Sequence, residues 1–209
     1  VERNWEDTAF AELARLLGEP DDWESRQLPP RYRSASLEML DPGRQKAVQE
    51  YVAQFTAESP LGDRERNGLL VYGGAGVGKT FMAAVIGKEI ARKLGRRHWP
   101  IWREVHKLAQ QLRDELGNTA SPSRWIRDSL VDPEKLLILD DLGAERDSDF
   151  LAEQLEAAIV RRYDEQLPVL ITTNLDPEGI KARYGTRVFS RLWQMCRVVH
   201  LTGPDRRLT

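Results

Sequence analysis

The apolar positions of this chain gather into short unbroken runs separated by longer stretches of helical spacing, a pattern that predicts parallel strands joined by crossover helices. Leu69-Leu70-Val71-Tyr72 is one such run, and helical spacing follows over 79–94. The segment 99–102 reads as a second strand, interrupted by Pro100. A helix over about 105–116 comes next, ahead of a polar segment with Trp125 and Ile126. Leu136-Leu137-Ile138-Leu139 is the purest buried-strand sequence in the chain. A helix over 150–163, a strand over 169–173, a helical stretch over 188–195 and a strand over 197–201 complete the alternation.

Ahead of this body, Trp5, Ala9, Phe10, Leu13, Leu16 and Leu17 recur at helical spacing until Gly18-Glu19-Pro20 stops them. A helix this short is marginal alone and needs a surface to dock on. A second helix is expected over 43–55, ended by Ser59-Pro60-Leu61-Gly62. This suggests a short acidic helical extension and linker over 1–27, then one α/β core over 28–209. There is no internal repeat and no low-complexity tract.

With 209 residues, of which 41% are hydrophobic and 31% charged, the chain suits one buried core and is not of disordered composition. The net charge of −2 gives no global hint of nucleic acid, but the charges are unevenly spread. Glu2, Glu6, Asp7, Glu12, Glu19, Asp21, Asp22 and Glu24 crowd the start, whereas Lys181, Arg183, Arg187, Arg191, Arg197, Arg206 and Arg207 crowd the end. Different partners for the two ends and plain solvated surfaces both fit that asymmetry. Cys196 is the single cysteine, so no intrachain disulfide forms. No apolar run approaches the roughly 18 residues of a membrane span, and the start lacks a secretory pattern. The expected location is the cytoplasm.

The glycine-rich loop carries the clearest chemistry. Gly73, Gly78, Lys79 and Thr80 meet the pattern G-x-x-x-x-G-K-[ST] between a buried strand and a helix. Glycines let backbone N–H groups turn inward around phosphate oxygens, and the helix start adds its positive dipole end. Gly74, Ala75, Gly76, Val77, Gly78, Lys79, Thr80 and Phe81 are the candidate nucleotide contacts, Lys79 for the β- and γ-phosphates. Thr80 and Asp140 are the candidate Mg²⁺ ligands, because a metal-holding carboxylate belongs at the end of a neighbouring buried strand. Asp141 is placed to take a proton from the attacking water, where the broader class often carries Glu; Glu145 is the alternative carboxylate. Asn174, at the end of Val169-Leu170-Ile171-Thr172-Thr173, can orient that water, although an ordinary turn amide fits the same pattern.

Three P-loop outcomes compete: a guanine-nucleotide switch, a small-molecule kinase and an oligomeric ATPase. The first needs Asn-Lys-x-Asp to read the base, whereas Asn174 is followed by Leu175 and Asp176. A kinase needs an arginine-rich lid and an acceptor pocket, for which no clear segment stands out. Arg183, Arg187, Arg191 and Arg197 surround the last helical stretch, where a guanidinium can stabilise a neighbour's phosphates or form a solvated face.

Four blocks in order resemble the AAA+ ATPases of the bacterial DnaC/DnaI helicase-loader and IstB transposition-helper group. They are the loop at 73–80, Leu-Ile-Leu-Asp-Asp-Leu-Gly-Ala-Glu at 137–145, Ile-Thr-Thr-Asn-Leu at 171–175 and Tyr-Gly-Thr-Arg-Val-Phe-Ser-Arg-Leu at 184–192. The resemblance implies a five-stranded parallel sheet with flanking helices and a small helical lid. Residue by residue, it implies Asp140 and Asp141 as the second acidic motif and Asn174 as first sensor. Arg191 would be the arginine finger reaching a neighbour's nucleotide, and Arg207, with Arg206 close behind, the terminal sensor. Tyr32, within Pro29-Pro30-Arg31-Tyr32-Arg33, would lie near the adenine. The implied activity is hydrolysis of ATP to ADP in a homo-oligomer with ATP at subunit junctions. The implied partners are a replicative DNA helicase and single-stranded DNA, with a transposition helper as the second role. Loaders of the DnaC type carry an extra N-terminal domain that grips the helicase; here either such a domain precedes the chain or the acidic helix over 5–17 serves.

In that family, helices between the second strand and the acidic motif touch single-stranded DNA. Here the region 96–127 holds Arg96, Arg97, Arg103, Lys107, Arg113, Arg124 and Arg127, with Trp99, Trp102 and Trp125 interleaved. Bases with aromatics suit a backbone-tracking groove, and an ordinary helix face over core tryptophans has the same composition.

Overall fold

The structure, a computed structural model, describes residues 23–62, 66–116, 130, 132, 135–145 and 149–206, with backbone only over 112–116. The helix expected over 5–17 lies outside them. Five strands form one sheet: β1 (Gly68–Tyr72), β2 (Ile101–Glu104), β3 (Leu137–Leu142), β4 (Val169–Thr173) and β5 (Cys196–His200). Their order is β2-β3-β4-β1-β5, with every neighbouring pair parallel.

Successive strand residues point to opposite faces, and each face has its own core. Leu69, Val71, Ile138 and Leu170 pack with α1 (Trp23–Gln27), α2 (Pro42–Ala53) and α3 (Lys79–Leu94). Leu70, Leu137, Leu139, Val169 and Ile171 pack with α4 (Val105–Leu116), α5 (Asp149–Asp164) and α6 (Pro177–Met195). Burial on both faces explains why β3 and β4 read as apolar runs rather than alternating ones. No described helix is long and apolar enough to cross a membrane.

Two elements differ from the sequence expectation. β2 starts at Ile101 rather than 99, because Arg96–His98 forms a 3-10 turn and Pro100 has no N–H to donate. The Ile101 N–H opens the ladder by donating to the Leu136 carbonyl at 2.8 Å. The last helix starts well before 188. The Asp176 carboxylate caps it by accepting from the Gly179 N–H at 2.7 Å, with Pro177 in the first turn. Gly185 (φ 77, ψ 168) then breaks α6 into two rods.

Trp23, within the stretch expected as a linker, packs into the body. Trp23 is 1% exposed, and its indole N–H donates to the Pro100 carbonyl at 2.7 Å. A Cβ on Gly87 of α3 would lie 2.3 Å from the Trp23 ring, so only glycine permits this approach. Buried Lys88 adds a second tie, donating to the carbonyls of Arg33 (2.6 Å) and Ala35 (2.7 Å). Trp23→Ala should therefore cost about 3–5 kcal/mol. Its urea midpoint checks this, and an unchanged midpoint would place α1 off the body.

Candidate functional site

All strands end at one edge, and the loop after β1 lies beside the end of β4, with β3 next in line. That arrangement is the crevice where open parallel sheets bind ligands. Gly73 (φ 151) leaves β1 where a Cβ would come within 2.1 Å of the Leu201 carbonyl oxygen. At Gly76 (φ 73) a Cβ would overlap the Asp205 carboxylate, because the C-terminal segment folds against the loop. The Arg206 N–H donates to the Gly76 carbonyl at 3.1 Å.

Lys79, the first residue of α3, is only 7% exposed. Its ammonium donates to the carbonyls of Gly73 (3.0 Å) and Gly74 (2.6 Å) and to Asn174 Oδ1 (2.6 Å). The other end of that amide, Nδ2, donates to the Asp141 carboxylate at 2.8 Å. Asn174 thus bridges the loop cation and the second acid.

Asp140 is 6% exposed and accepts from the Thr172 hydroxyl at 2.6 Å. Thr172 in turn accepts from the Asp141 N–H at 2.9 Å, which holds Asp141 at φ 63 where β3 shifts register against β4. Burial raises the Asp140 pKa from 3.8 to about 6. Hydrogen bonds from Thr172 and Thr80 oppose the rise, while Asp141 and Glu104 reinforce it. Glu104 is the residue opposite Asp140 in the parallel register of β2 and β3.

A folded pKa above the unfolded one means that folding favours the protonated acid. The resulting stability is complete below about pH 4 and is lost as the pH rises through 6, about 3 kcal/mol in all. Nucleotide-free Asp140→Asn should therefore be more stable than the natural chain above pH 6, with the gap closing towards pH 4. Urea midpoints across that range check it, and a pH-independent gap would contradict the raised pKa.

Around these groups lies a cavity of about 640 Å³, a size that suits a nucleotide. Ala75, Gly76, Gly78, Lys79, Thr80 and Phe81 line it, as do Asp140, Asp141, Asn174 and Tyr32. Gly74 takes part through its carbonyl, and Val77 is buried with its carbonyl accepting from Arg44 at 2.9 Å. The Thr80 hydroxyl and the Asp140 carboxylate, hard oxygen donors that line the cavity together with Asp141 and Glu104, fit a Mg²⁺ ion.

Several expected residues fall elsewhere. Glu145 is not on the cavity: it is 0% exposed and bound by Gly143, Arg183 and Tyr184, so it is in no position to replace Asp141 as base. Arg191 does not line its own chain's cavity; its guanidinium lies 5.1 Å from the centre of the Tyr163 ring. Arg207 lies outside the described residues, whereas Arg206 lines the cavity and pairs with Asp41 at 3.6 Å. Trp102 is buried in the core and forms no stacking platform, whereas Trp99 is partly buried with the Arg96 guanidinium 5.6 Å from its ring centre. Lys107 is paired with Glu104 at 2.6 Å. Arg124, Trp125, Arg127 and the Arg113 side chain lie outside the described residues.

Sequence reasoning missed Arg44, Glu104 and Thr172. Arg44 reaches Asp41 (3.0 Å) and the carbonyls of Val77 and Thr202 (3.3 Å), joining three distant segments with no local signal. Glu104 was legible in principle as the last residue of a strand parallel to β3, and Thr172 as a hydroxyl at the end of β4.

A loop lysine, a paired hydroxyl and buried acid, and a bridging amide at the end of a β2-β3-β4-β1-β5 parallel sheet define a P-loop nucleotide-binding domain of the AAA+ kind. The profile of the IstB-like ATP binding protein family matches residues 34–209, and the chain belongs to that family. It is 24% identical over 184 residues to the replicative helicase loader DnaI of Bacillus subtilis, covering 82% of this chain and 57% of that protein. It is 32% identical over 120 residues to an ATP-binding protein of insertion sequence IS1162 from Pseudomonas fluorescens, covering 56% and 48%. The chain thus spans about half the length of these curated relatives. A crystal structure of the DnaC helicase loader superposes with a TM-score of 0.64 at 25% identity, covering 83% of this chain and all of that one. Family membership displaces the small-molecule kinase reading.

Proposed function

We propose that this protein is a magnesium-dependent ATPase that assembles head to tail in the cytoplasm and acts as a loader of a replicative DNA helicase. The observation that carries the hydrolytic part is the Asn174 bridge between Lys79 and Asp141, which links the phosphate-binding cation to the acid that would receive a proton. In this reading Lys79 offsets phosphate charge, and Thr80 with Asp140 holds the Mg²⁺. Asp141 accepts the proton of the attacking water and Asn174 orients that water. Tyr32 and Phe81, which line the cavity, would hold the base, and Arg206 would offset phosphate charge. Arg191 serves the nucleotide of the adjoining subunit.

The likeness to DnaI and DnaC supports the helicase as partner. The likeness to the insertion-sequence protein supports a second reading, a transposition helper. Single-stranded DNA is the proposed nucleic-acid partner in both, held through phosphate contacts from Arg96, Arg97 and the basic residues up to 127. Such binding should weaken steeply between about 50 and 200 mM salt. Fluorescence anisotropy with a labelled oligonucleotide measures it, and equal affinity at both salts would remove it. The roles separate on co-purification with the host's replicative helicase, alongside ATP turnover with and without magnesium. Capture of the helicase supports loading. Capture of a transposase instead supports the second reading, and no magnesium-dependent turnover removes the ATPase.

A further inference from the structure

Glu145 is wholly buried yet stands off the nucleotide cavity. Its carboxylate accepts from the Gly143 N–H at 2.9 Å, from Arg183 Nε at 2.6 Å and from the Tyr184 hydroxyl. Arg183 also donates from Nη2 to the Glu145 carbonyl at 3.0 Å. A carboxylate out of water is costly unless it is paired and hydrogen-bonded, and this one is both. Its partners come from two places: the turn that leaves β3, and the first rod of α6.

Each side of this contact leads to a residue of the proposed chemistry. Gly143 follows Asp141 by two positions, and the Ala144 N–H closes the turn on the Asp141 carbonyl at 3.1 Å. Asp141 has φ 63, uncommon outside glycine though mildest for aspartate and asparagine, and its N–H is tied to the Thr172 hydroxyl at 2.9 Å. On the other side, Arg183 and Tyr184 end the first rod of α6 immediately before the break at Gly185. Gly185 turns the chain at φ 77, and Val188 and Leu192 of the second rod are buried in the core. The second rod beyond it carries Arg187 and Arg191.

We propose that Glu145 is a positioning residue for hydrolysis: it fastens the Asp141 turn to α6, so that the acid and the arginine-bearing rod keep one relative placement. The inference rests on the ATPase reading given above. Glu145→Gln keeps the volume but turns one acceptor oxygen into a donor, so it no longer satisfies all three partners. Its affinity for ATP should stay within about twofold of the natural chain, while turnover in the assembled state falls roughly 10- to 100-fold, the scale on which small misplacements of a reacting group act. Tyr184→Phe removes one donor and keeps the packing. It should show a smaller loss with the same split, and it carries the test if Glu145→Gln does not fold.

Parallel losses of affinity and turnover in these variants would make Glu145 a structural residue only and overturn the proposal. Unchanged turnover in both, with the natural chain active, would overturn it alone. An inactive natural chain would remove the ATPase reading and this inference together.

Discussion

Lys79→Ala should abolish useful ATP binding, with a loss of affinity of about 10²- to 10³-fold. Lys79 is 7% exposed and its ammonium sits among the Gly73 and Gly74 carbonyls and Asn174, so a phosphate at this loop meets it in a partly dehydrated place. Truncation leaves phosphate charge unmatched there, which costs more than the loss of an exposed ion pair. It also frees Asn174 from the loop. Equilibrium binding of ATP with magnesium measures the effect, and melting in the absence of nucleotide checks that the chain still folds. Retention of ATP at natural affinity would mean that the loop does not hold phosphate through Lys79, and the whole site reading would fall.

Arg191→Ala should act on turnover and leave binding alone. Its guanidinium lies over the Tyr163 ring on the α5–α6 side of the sheet, and Arg191 does not line its own chain's cavity. In the proposed head-to-tail assembly, its effect on the nucleotide is exerted on an adjoining copy. In that arrangement, removal of the charge should lower hydrolysis in the assembled state by as much as roughly 10³-fold. ATP binding to the isolated chain should be unchanged. Lost stacking on Tyr163 should cost about 0.5–1 kcal/mol, too little to mimic this by unfolding. Turnover measured against protein concentration is the sharpest readout: the natural chain should gain activity as it assembles, and the variant should not. Equal turnover at all concentrations would remove the shared-site arrangement.

The sequence was most informative where structure and chemistry are local. The apolar runs before Gly73 and Asp140 marked β1 and β3, and the loop residues that line the cavity all lie within one short segment. Harder to read were contacts between positions far apart in the chain. Gly87 looks like an indifferent helix residue until Trp23 is seated on it. Arg44 shows its place only once Val77 and Thr202 are beside it. Glu145 read as a spare carboxylate because Arg183 and Tyr184, which consume it, come nearly forty residues later. The first rod of α6 is different, since Asp176-Pro177 is a local helix-start signal that went unused.

The corner at Asp141 also restricts which acid can stand there. A left-handed backbone at φ 63 tolerates aspartate and asparagine better than most other side chains, because a short polar group can satisfy itself locally. A glutamate, common at this place in the wider class, would meet the same backbone with a longer side chain and lose the amide partner now supplied by Asn174. Asp141→Asn is thus a chemical edit that spares the conformation, whereas Asp141→Glu, for all its preserved charge, is a conformational one. An activity lost in both would have two unrelated causes.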